Sequence, residues 1–93
     1  MKIEFELPDE MADYATDITT FMGLMVHKLH KNMHKGKWEN MLALDAYYLA
    51  EDEMAELWRA IDSEDSSEIY LEAADVANFA LIVASIVREK SGD

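Results

Sequence analysis

Four carboxylates sit where the pattern of this sequence asks for leucine. One seam, with spacings of four, three, four, three and four, runs through Leu42, Ala46, Leu49, Glu53, Glu56 and Ala60. A second, spaced three, four, three and four, runs through Glu72, Asp75, Phe79, Ile82 and Ile86. Each reads as the apolar stripe of a helix, and in each two acids take successive core positions. A desolvated carboxylate costs several kcal/mol even after relaxation, so four facing inward need compensation. Arg59 and Arg88 cannot offset four acids. Two divalent cations match four carboxylates in charge, and oxygen ligands suit Mg²⁺ or Mn²⁺. A spacing of three residues puts each pair on one helix face, so two facing helices present a four-carboxylate cage. A single Glu-x-x-Glu is an ordinary solvated motif. Two such pairs, each inside an apolar seam and on consecutive helices, carry the metal reading.

The elements that must position these acids follow from the rest of the pattern. With three glycines and one proline, the chain is sparsely punctuated, which favours a few long helices. Lys2 to Leu7 alternates apolar and charged residues, the period of a half-buried strand. A lone strand of six residues is unstable without a partner, so it is expected as an extended arm or a strand paired across an oligomer, ended by Pro8. A first helix is expected from about Asp9 to about His34, with Met11, Ala15, Ile18, Met22, Met25 and Leu29 as its stripe and Gly36 as its stop. The second covers about Asn40 to Ile61. After the polar turn DSEDSS, Asp65 and Glu68 read as a capping box that opens a third helix, about Ser66 to Lys90. That helix is apolar nearly all round from Ala73 to Val87, which in so short a chain implies cover from a second subunit. The expected fold is all-α: one domain over residues 1–93, a bundle of about three long helices with a short N-terminal extended arm. It is expected to oligomerise, as a homodimer or homotetramer, into a larger helical bundle.

Composition narrows the function classes. The absence of cysteine removes disulfides, thiolate metal sites and cysteine nucleophiles. No signal peptide is evident at Met1–Leu7, and the longest apolar run, Val76 to Val87, falls short of the roughly 20 residues that span a bilayer. A cytoplasmic protein without a membrane partner is expected. The net charge of −12 argues against nucleic acid as a partner, since that affinity comes from neutralising phosphates. Yet four of the six lysines and all three histidines fall in residues 27–40, HKLHKNMHKGKWEN. One basic patch on an acidic chain suits a small anion. His27, His30 and His34 share a helical stripe, but the lysines among them disfavour a transition metal.

The acidic segments Asp52-Glu53-Met54-Ala55-Glu56-Leu57 and Glu72-Ala73-Ala74-Asp75-Val76-Ala77-Asn78 resemble the MazG-like branch of the all-α NTP pyrophosphohydrolases. That family carries Glu-Glu-x-x-Glu on one helix and Glu-x-x-Asp on the next; the first acid here is Asp52. The segment KGKWEN before the acidic helix is similar as well, and the resemblance spans roughly Lys35 to Val87. It implies hydrolysis of a nucleoside triphosphate to the monophosphate and pyrophosphate, with Glu53, Glu56, Glu72 and Asp75 holding Mg²⁺, or Mn²⁺ in its place. Glu53 or Glu56 would orient or deprotonate the attacking water. Lys35 and Lys37, flanking Gly36, are candidates to hold the triphosphate tail, Trp38 to stack on the base, and Asn78 to contact sugar or phosphate. Each has a plainer role. The lysines also complement a helix C-terminus, the tryptophan can plug a core, and the asparagine can be satisfied between subunits. The alternative function is a non-catalytic acidic helical oligomer that binds a protein partner or divalent ions.

Overall fold

The computed structural model describes residues 1–33, 38 and 40–92, and these contain helices and no strand. A 3₁₀ turn over Asp9–Tyr14 leads into α1 (Ala15–Asn32), followed by α2 (Ala43–Asp62) and α3 (Ser66–Lys90). The all-α, three-helix expectation holds. Residues 1–7 are exposed and without regular structure. Lys2 and Glu4 are paired at 3.1 Å, and Ile3 and Phe5 are exposed.

The helix starts and stops have local causes. Helicity begins where expected, at Asp9, but its first turn is 3₁₀. Pro8 has no side-chain acceptor for a cap, and its carbonyl accepts from the Met11 amide at 2.8 Å, an i→i+3 closure. Gly36, the expected stop of the first helix, lies outside the described residues; α1 itself ends at Asn32. Helix α3 matches the expected span, and Asp65 caps it by accepting from the Glu68 amide at 3.2 Å.

Three residues, Ser63, Glu64 and Asp65, join α2 to α3. The Asp65 amide donates to the Ala60 carbonyl and the Glu64 amide to that of Ile61, the paired bonds of a Schellman stop. Glu64 takes the left-handed position, with φ of 58°, where glycine is the usual residue. Asp65 then ends one helix and caps the next, so α2 and α3 form a tight antiparallel hairpin. Glu53 and Asp75 lie at similar distances from the turn, and the hairpin brings them level.

Helix α3 is the centre of the structure: α2 packs along it and α1 packs against it too. Among the described residues, those buried are small or aliphatic, Ala46, Ala60, Ala74, Ile82 and Ile86, together with one polar residue, Asn78. Trp38, Met41 and Phe79 pack against this core. Large apolar side chains remain outside it, among them Val26, Leu44, Trp58, Ile61, Tyr70 and Val87. The accessible surface is 7459 Å², against about 5,500 Å² for a compact monomer of this mass. The radius of gyration is 14.8 Å, against about 12 Å for a compact chain of this length.

The run Val76–Val87 stops short of a bilayer span. Averaged across Asn78 and Ser85, however, α3 has an 18-residue window of mean hydropathy 1.6, so by length and composition it is long and apolar enough to cross a membrane.

Candidate metal centre

Glu53 of α2 and Glu72 and Asp75 of α3 each turn a carboxylate oxygen toward one point, with these atoms all within 4.8 Å of one another. All three residues are half-buried. The hairpin supplies the approach, and the three-residue spacing of Glu72 and Asp75 puts both on the face that meets α2.

The fourth acid is not gathered. Glu56 is exposed, and its Oε1 accepts from the Arg59 guanidinium at 2.6 Å. A residue three positions beyond Glu53 is turned by about 60° around the helix, and here that turn carries Glu56 toward solvent. Asp52 is exposed as well. Four acids in two sequence seams become three at one point and one at its edge.

The electrostatics of the trio are those of a site short of positive charge. Burial pushes the Glu53 carboxyl up from its ordinary 4.5 to about 7; the hydrogen bond to Glu72 adds to this, as do the charges of Asp75, Glu72 and Glu56. Two carboxyl groups can share a hydrogen bond only if the pair keeps a proton, which fits the upward direction at Glu53. Glu72 Oε2 is buried without a hydrogen-bond partner, an arrangement with a real desolvation cost. Converging oxygens and an orphaned carboxylate atom fit a hard divalent ion such as Mg²⁺ or Mn²⁺. The trio could hold one.

A residue that the sequence reading did not single out completes the polar group. Lys28 of α1 reaches Asp75, Nζ to Oδ2 3.2 Å, with both side chains mostly buried. In the sequence it looks like one lysine of a basic patch. The available signal was its register, since Met25, Lys28 and Asn32 step by three and four along the edge of the apolar stripe.

These groups open onto a cleft of about 730 Å³. Lys28, Glu53 and Asp75 line one part of it; Leu29, Met33, Trp38, Met41, Phe79 and Ile82 line most of the rest, with Asn32 and Asn78 among them. From Asp75 to Ile82 the lining runs about 10 Å along α3 at 1.5 Å per residue. The cleft therefore passes from charged to apolar. Trp38 both lines it and packs on the core, and its indole N–H donates to Ser85 Oγ at 3.3 Å. Asn78 Nδ2 donates to the Met25 carbonyl at 3.1 Å, while its Oδ1 is buried without a partner. His27 and His30 are exposed. Lys35, Lys37 and His34 lie outside the described residues, and with them the phosphate-binding expectation for the two lysines.

Compared with family models, with curated proteins and with solved structures, the chain matches none of them.

Proposed function

We propose that this protein is a divalent-metal-dependent nucleoside triphosphate pyrophosphohydrolase, similar to the MazG-like family, that converts a (d)NTP to the (d)NMP and pyrophosphate. The observation that carries the reading is the meeting of Glu53, Glu72 and Asp75 across the α2–α3 hairpin, with Glu72 Oε2 orphaned. These acids coincide with the positions that the sequence resemblance marks as ligands. A divalent ion held there supplies charge neutralisation for phosphate oxygens and makes a nearby water more acidic.

The chain's own residues have separate tasks. Glu72 and Asp75 fix the ligand set from α3, and Glu53 completes it from α2. Glu53 or Glu56 would orient or deprotonate the attacking water; Glu56, exposed and paired with Arg59, would have to leave that pair to do so. The charged part of the cleft faces the phosphates, and the apolar part, with Trp38 and Phe79, covers a base. Surface in excess of a compact monomer supports a homodimer or homotetramer.

The position of Glu56 also favours a second reading, a divalent-ion binder without turnover, because three converging carboxylates suffice to bind. One experiment separates the two: a panel of dNTPs and NTPs assayed for pyrophosphate release, with Mg²⁺ and with EDTA. Pyrophosphate from at least one substrate, dependent on the metal, is the expected result. Orthophosphate alone, or full activity in EDTA, would sink the enzyme reading. Metal binding without any turnover would leave the ion binder.

A further inference from the structure

We infer that Lys28 is a tethered cation that holds Asp75 in the metal-free protein and passes to the anionic part of a polyphosphate ligand when a divalent ion takes Asp75. The inference rests on the reading of Asp75 as a metal ligand. The Lys28 ammonium sits 3.2 Å from Asp75 Oδ2, and Asp75 offers an oxygen to the same group as Glu53 and Glu72. A divalent ion bound to that group and an ammonium in contact with one of its ligands repel each other at close range. That repulsion weakens the Lys28–Asp75 contact, and lysine is the group built to swing away, with a long stem and a rotatable head. It already lines the cleft beside Asp75. A polyphosphate that bridges to the metal brings oxygens to the same place, where the ammonium makes charge-assisted hydrogen bonds.

A second, independent observation in this cleft calls for a hydrogen-bond donor, which a polyphosphate does not offer but a sugar or base attached to it does. Asn78 lines it and is 5% exposed, with Oδ1 unpartnered. Its orientation is fixed by chemistry, because the Met25 carbonyl can only accept and so must face Nδ2. An acceptor that lacks a donor is thus held one helical turn beyond Asp75.

The inference demands two affinity changes of opposite sign, which a merely structural lysine would not give. Calorimetry should show that Lys28→Met binds Mn²⁺ alone about tenfold more tightly than the wild type. At saturating Mn²⁺ the same variant should bind inorganic tripolyphosphate about tenfold more weakly. Lys28→Arg keeps the charge and should stay within about threefold of the wild type in both. A Lys28→Met protein with weaker Mn²⁺ binding, or with unchanged tripolyphosphate binding, overturns the inference. If melting curves show that Lys28→Met does not fold, Lys28→Gln carries the same two expectations. Pyrophosphate release is scored separately. Opposite shifts without turnover refute the enzyme and keep the role of Lys28, whereas turnover with tripolyphosphate affinity unmoved does the reverse.

Discussion

Glu53 is an acid that the fold prefers with its proton on, and this has a direct consequence for stability. Its folded value, about 7, lies above the ordinary 4.5 of the unfolded chain. Its contribution is therefore full below about pH 4.5 and is lost as the pH rises through about 7. In EDTA, the wild-type melting temperature should fall on this account between about pH 5 and about pH 8. Glu53→Gln is neutral throughout and should flatten that part of the slope; an identical slope in the variant would refute the assignment. Magnesium supplies by mass action what the proton supplies by neutralisation. At about a hundred times its Kd it should stabilise the wild type by about 2.7 kcal/mol, and leave Glu72→Gln and Asp75→Asn nearly unmoved. Glu56→Gln should keep most of the metal-induced shift, because Glu56 is exposed and tied to Arg59. If Glu56→Gln loses as much of the shift as Asp75→Asn, Glu56 belongs inside the ligand set.

At the scale of the elements, the α2–α3 turn offers a test of the hairpin. Glu64 holds a left-handed φ of 58°, which costs a residue with a Cβ about 1 kcal/mol. Glu64→Gly should raise the melting temperature by about 4–8 °C, and Asp65→Ala should lower stability by about 1 kcal/mol through loss of the α3 cap. Melting curves for both variants check this, and a Glu64→Gly protein that melts lower would contradict the Schellman stop. The same turn shows what a sequence can carry. The span of α3 and its Asp65 cap were legible because capping is a local arrangement of donors and acceptors. The meeting of Glu53, Glu72 and Asp75 was legible because heptad register survives into packing. The outward turn of Glu56 was not, since a seam drawn with ideal spacing ignores which way a residue at its edge falls. Nor was Lys28, whose partner lies on a helix far away in sequence. Its register at the edge of the apolar stripe was a signal that it faces inward, but only tertiary packing could supply Asp75 as its partner.

For the whole molecule, the decisive quantity is surface. The chain exposes 7459 Å², about 2,000 Å² more than a compact monomer of its mass, and Trp58, Ile61, Tyr70 and Val87 lie within that surface. Such an excess exceeds the roughly 800 Å² that each partner contributes to a standard interface. Light scattering at micromolar concentration should return at least twice the monomer mass of 10.6 kDa. A monomeric mass would leave these side chains unexplained by self-association.

The hairpin with its three-residue turn also sets an order of events in folding. Contacts between α2 and α3 close a short loop, whereas the Lys28–Asp75 and Met25–Asn78 contacts span more than half the chain. Short loops close at lower entropic cost, so the three acids should meet while α1 is still undocked and Lys28 absent. The folding barrier then carries their mutual repulsion without its counterion. In a stopped-flow experiment, Mg²⁺ should therefore accelerate refolding, and Lys28→Met should act mainly on the unfolding limb of the chevron.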